Sequence, residues 1–129
     1  MRLLLAVLLL LCCACGPRAE AVTADAVAIV ANAAIGPLAT AYEAEGMAAI
    51  RAADTVDELM VAVPTVKERW APVWSALRSF AEVHDAWATA LETGQERDNR
   101  DVQAAWCELR RVAEEFGVVL GDFPVMVCP

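Results

Sequence analysis

This sequence predicts an all-α fold, an elongated antiparallel three-helix bundle, and three observations carry that expectation. Alanine supplies much of the 59% hydrophobic content, while aromatic residues make up only 6%, a balance that favours helices over a strand-rich sandwich. Large apolar side chains recur at alternating four- and three-residue steps in two long stretches, the period of a helix face buried against its neighbours. Strand-like alternation is confined to Val125-Met126-Val127 near the C-terminus.

The first helix is read from Thr23 to about Ala53, an alanine-rich stretch interrupted by Gly36-Pro37. Proline lacks a backbone donor and disfavours the helical conformation of the residue before it. A kink, or a split into two segments, is therefore expected at that point.

The second helix opens on a capping box, Thr55-Val56-Asp57-Glu58. From there Val56, Val63, Trp70, Leu77, His84 and Leu91 fall on one seam position, and Leu59, Val66, Val73, Phe80 and Trp87 on the other. All of them except His84 are large and apolar. Met60 and Trp74 lie just beside the seam and widen it into the stripe of a globular bundle. Pro64 and Pro72 argue against a straight rod. A second capping-box pattern, Thr65-Val66-Lys67-Glu68, suggests a restart after Pro64, with a further kink at Pro72. Even bent, a helix from Val56 to Leu91 extends about 54 Å, so the domain is long.

A polar turn, Thr93-Gly94-Gln95-Glu96-Arg97, leads to Asp98, which is placed to cap a third helix, with Asp101 near its positive end. Val102, Trp106, Leu109, Ala113, Phe116, Leu120 and Phe123 repeat at the same four-three steps, and Gly121 and Pro124 are expected to stop the helix. Arg110 with Glu114, and Arg111 with Glu115, are four-residue pairs for its outer face. Residues 23–129 thus read as one helical domain with a single modest core.

The N-terminus has a different character. Met1-Arg2 supplies a positive charge, Leu3 to Leu11 is an unbroken apolar run, and Cys12-Cys13-Ala14-Cys15-Gly16 follows. These are the three regions of a secretory signal, and the apolar stretch falls short of the roughly 20 residues a permanent transmembrane helix needs. At Ala14-Cys15 the segment resembles bacterial lipoprotein precursors, in which a small residue directly precedes the cysteine that becomes the lipidated N-terminus. The family usually has Leu three residues before that cysteine, where this chain has Cys12.

The resemblance implies a signal peptide over 1–14 and a lipid such as palmitate on Cys15, and the residues from Gly16 to Val22 read as a short tether, so that 15–22 form the lipidated cysteine and its tether. It also implies an extracytoplasmic location, at an outer membrane facing the periplasm where the host has one, because Gly16 rather than aspartate follows the cysteine. The alternative is a small-x-small cleavage site at Ala19-Glu20-Ala21, which would release a soluble secreted or periplasmic protein.

The net charge is −8, and removing the leader takes away only Arg2. An acidic domain is repelled by phosphate backbones and anionic lipid, so no nucleic-acid partner is expected and membrane contact falls to the N-terminal lipid. Cys107 and Cys128 are expected to form a disulfide in an oxidising compartment, closing a loop worth about 3 kcal/mol.

His84 is the single histidine, flanked by Glu82 and Asp85. It lacks the further donors of a metal site and reads as a boundary residue bonded to a carboxylate or carbonyl. Trp70, Trp87 and Trp106 sit on seams and read as core, whereas Trp74, at the edge of the stripe, is the candidate for contact with a protein partner. Neighbouring carboxylates such as Glu114-Glu115 point about 100° apart on a helix, and phosphate-binding glycine loops, nucleophile elbows and Ser-x-x-Lys motifs are absent from the sequence.

No cofactor, metal or small-molecule substrate is therefore expected. The sequence favours a non-enzymatic envelope lipoprotein presenting a helical surface for protein binding, scaffolding or self-association. The alternative is a phage- or host-encoded inhibitor or exclusion factor acting on an envelope enzyme or channel.

Overall fold

The computed structural model describes residues 17–95, 99–121 and 128. Three helices follow one another: α1 (Pro17–Ala52), α2 (Val56–Glu92) and α3 (Arg100–Glu115). No strand occurs among the described residues, and Val125-Met126-Val127 lies outside them. The helical bundle expected from the sequence is the fold. Cys15 and the whole signal segment also lie outside the described residues.

Helix α2 is the spine, with α1 packed on one flank and α3 on another. Cross-helix contacts give the register. Ala24 meets His84 and Tyr42 meets Trp70, so α1 runs antiparallel to α2. Trp106 meets Phe80 and Phe116 meets Trp70, so α3 does the same. The core is built from Val27 and Leu38 of α1, Trp70, Val73 and Phe80 of α2, and Val102, Trp106 and Leu109 of α3, all essentially sealed from solvent. Trp70, Trp87 and Trp106 are buried, as their seam positions require.

Helix α1 is continuous across Gly36-Pro37. Pro37 lies on the exposed side, while Ala34 and Leu38 are buried on either side of it. Packing thus holds both halves to α2, and the lost hydrogen bond falls where a helix can bend toward water. The helix also runs through residues 17–22, which the sequence reads as a tether; Pro17 stands at the first helical position, where its missing N–H breaks no bond.

Helix α2 begins with the expected capping box. Glu58 N–H donates to Thr55 Oγ1 at 3.2 Å, and the Glu58 carboxylate accepts from the backbone N–H groups of Thr55 and Asp54. The expected restart after Pro64 does not occur. The helix passes unbroken through Pro64 and Pro72, and the Thr65 hydroxyl donates back to the carbonyl of Val61 at 2.8 Å instead of capping.

Two glycines close α2 and α3 in the same manner. Gly94 and Gly117 take φ of 71° and 73°. After α2, Gly94 N–H bonds Leu91 O and Gln95 N–H bonds Ala90 O; after α3, Gly117 N–H bonds Glu114 O and Val118 N–H bonds Ala113 O. Both are Schellman endings, which need a left-handed residue that glycine supplies without a Cβ penalty.

Helix α3 therefore stops at Glu115, earlier than the expected Gly121. Beyond it Val118 and Leu120 are buried and Val119 is exposed, the alternation of an extended segment. At its start Asn99 occupies the cap position without a side-chain bond, and Asp98, the expected cap, lies outside the described residues.

The helices are unequal: α3 has 16 residues and α2 has 37. Helix α3 lies alongside α2 roughly between Trp70 and Trp87, so the α1–α2 turn projects past it as a two-helix tip. Seam positions Val66, Trp70, Val73, Phe80 and Trp87 are buried, yet Val56 and Val63 are 74% and 46% exposed because no third helix reaches them.

Candidate protein-binding surface

Helix α3 covers one side of the α1–α2 pair, and the opposite side is open. Trp74 sits on that side and is half-buried. Its ring packs edge-on against Tyr42 at 5.5 Å and tilts against Trp70 at 6.0 Å. Trp74 thus lies at the edge of the stripe, covered in part by the first helix and in part exposed. A groove of about 520 Å³ runs from it between the helices, lined by Ala31, Ile35, Trp74, Leu77 and His84 among others. On the outer flank of α2 a second depression of about 580 Å³ shares Trp74 and Arg78 with the first and adds Pro64, Lys67 and Ala71.

Toward the tip a third hollow, about 340 Å³, is lined by Tyr42, Gly46, Met47, Ile50, Val63 and Val66. Met47, Ile50 and Val63 are exposed along it, and Met60 and Val61 are exposed at the same end of α2. Most of the exposed large apolar side chains therefore lie along one face of the hairpin or at its tip, rather than scattered singly over the molecule. A clustered apolar surface of this kind is a candidate interaction site.

The floor beneath Trp74 is fixed by a polar clamp that the sequence did not reveal. Trp70 Nε1 donates to Glu45 Oε2 at 2.8 Å, and Arg69 donates to Glu45 Oε1 at 2.9 Å. One carboxylate on α1 thus holds two consecutive residues of α2. The Arg69 guanidinium also lies 5.7 Å from the centre of the Phe116 ring, and Trp70 packs on that ring at 4.8 Å, which ties the end of α3 into the same cluster. Tyr42 and Glu45 are three residues apart on α1, the one sequence sign of a shared face.

His84 lines the groove but faces inward. Its Nε2 lies 3.0 Å from the carbonyl of Ala24 and its Nδ1 3.7 Å from the Asp85 carboxylate, while the side chain is largely covered. It thus joins α1 to α2 through a carbonyl, as a boundary histidine does. Among the described residues no group of three or more His, Cys, Asp or Glu side chains is placed to hold a metal ion.

Cys107 on α3 and Cys128 are bonded, with Cα atoms 5.4 Å apart. The disulfide returns the C-terminal tail to the third helix, remote in sequence from Trp74. On the outer face of α3, Arg111 grips Glu108 with two hydrogen bonds of 2.9 and 2.7 Å and also bonds Glu115, while Arg110 lies 3.7 Å from Glu114. The hydrogen bond from Arg111 holds the Glu108 carboxyl below its usual pKa, and the same contact raises that of Arg111.

No protein-family model, curated protein or solved structure matches this chain.

Proposed function

We propose that the chain is exported, held at the cell envelope by a lipid on Cys15, and acts without catalysis by presenting the open side of the α1–α2 hairpin to a protein. The observation that carries this reading is the apolar face centred on Trp74, built on a rigid clamp and left uncovered by α3. Aromatic side chains half-seated in a firm apolar surface are the anchors that protein interfaces favour.

One further feature supports it. The Cys107–Cys128 disulfide suits an oxidising compartment.

Labelled palmitate tests the anchor. It is expected to enter the wild type, Cys12→Ser and Cys13→Ser, and to be lost in Cys15→Ser; mature protein beginning at Val22 would refute it. The surface is tested by cross-linking the exported protein in membranes. Trp74→Glu should lose its cross-linked products while keeping its helical circular dichroism, and His84→Gln should retain them. An unchanged pattern in Trp74→Glu would overturn the reading.

A further inference from the structure

Helix α2 carries on its outer face a stripe that is complementary to itself when reversed. Lys67, Ala71, Trp74, Arg78, Ala81 and Asp85 follow one another at four-three steps, so they share one side of the helix, about 80° round from the side that meets α1. Five of the six are exposed and Trp74 is half-buried. Among the described residues neither Lys67 nor Arg78 is bonded to an acidic side chain, and the Asp85 side chain is 84% exposed, with only the His84 ring edge near it.

Consider two such helices placed antiparallel with a two-fold axis at the level of residue 76. Lys67 then faces Asp85 of the second copy, Trp74 faces Arg78, and Ala71 faces Ala81, and the symmetry repeats each pair. The outermost pair joins opposite charges, the innermost sets a guanidinium against an indole, and the alanines between them let the backbones approach. A shift of one helical turn in either direction breaks all three matches. Self-complementarity of this kind is what an isologous two-fold interface requires.

From this arrangement we infer that the partner of the Trp74 surface is a second copy of the chain, paired antiparallel along α2 with Lys67 opposite Asp85. The inference rests on the reading of that side as an interaction surface and names its occupant.

Lys67 is the only lysine in the sequence, which gives a direct test. A zero-length carbodiimide joins an amine to a carboxylate in contact. Within one molecule Lys67 and Asp85 are separated by about 27 Å of helix, so a link between them reports a pair of chains. Full-length exported protein, a mixture of natural-abundance and ¹⁵N-labelled material in detergent, is expected to give a cross-linked dimer containing a mixed-isotope Lys67–Asp85 peptide.

In sedimentation of the same preparation, Lys67→Asp and Asp85→Lys should each weaken association by about tenfold, because each places like charges together twice. The double swap should recover most of it. A monomer at all concentrations, or a dimer linked through other residues and indifferent to the swap, overturns the self-pairing. If Trp74-dependent cross-linking to a different membrane protein persists in the monomeric case, the broader binding function stands and only the second copy is excluded as its occupant.

Discussion

The indole N–H of Trp70 donates to the carboxylate of Glu45 at 2.8 Å, joining the spine of the bundle to its first helix at a point where the ring itself is 1% exposed. Removing the acceptor strands a buried donor, which costs about 1–3 kcal/mol. Glu45→Leu is therefore expected to lower stability by that amount in urea unfolding. Glu45→Gln keeps an acceptor for Trp70 and loses only the charge facing exposed Arg69, an effect of about 0–1 kcal/mol. Equal losses in the two variants would show that the ion pair, rather than the indole bond, matters.

Glycine substitutions separate backbone strain from packing. A Cβ at Gly94, Gly117 or Gly46 meets nothing within 4 Å, but the first two have positive φ and Gly46 is inside α1. Gly117→Ala and Gly94→Ala should each destabilise by about 1–2 kcal/mol. Gly46→Ala should stabilise by about 0.5–1 kcal/mol. Thermal unfolding midpoints moving in opposite directions are the expected result.

Loss of the Cys107–Cys128 bond in a double serine variant should cost about 3 kcal/mol, because the tail regains its freedom in the unfolded chain. Peptide mapping of the exported protein without reductant should find the two cysteines linked. Two thiols open to alkylation would contradict the structure.

The Arg111–Glu108 contact predicts a pH dependence. The folded pKa of Glu108 lies below the ordinary carboxylate value of 4.5, so its stabilising contribution is present above that value and is lost as pH falls through the depressed one. Glu108→Gln should be less stable than the wild type at pH 7 and indistinguishable from it at pH 2. The group is exposed, so the difference at pH 7 should also shrink in high salt.

The long seam of α2 was legible because large apolar residues at a fixed period can satisfy only one face, and from Val66 onward that face is buried or half-buried. The same period misled at Val56 and Val63, since periodicity shows which way a side chain points and not whether a neighbour is there. The end of α3 failed for a related reason. Phe116 and Leu120 keep helical spacing across Gly117, but an extended chain can also bury Val118 and Leu120, and the glycine decides between the two.

The split at Pro37 and the restart after Pro64 do not occur because both prolines are exposed, and that exposure, which makes them tolerable, is a property of the tertiary packing. At the candidate surface, Trp74 was visible as the aromatic just off the seam. The Glu45 clamp was not, because it joins residues 24 and 25 positions apart that only the hairpin brings together.

The shortness of α3 also divides α2 into two dynamic regimes. Between Trp70 and Trp87 the helix is sandwiched, and its amides can exchange with solvent only when the whole bundle opens. From Val56 to Val63 it has one neighbour and exposed side chains, so local openings there can occur with the rest intact. What steadies that end is the bracket at its mouth, where Glu58 and Thr55 satisfy backbone groups that would otherwise begin to fray. In deuterium the molecule would take up label from the tip inward, and the protected front would stop near Trp70, where the clamp from Glu45 closes over the chain.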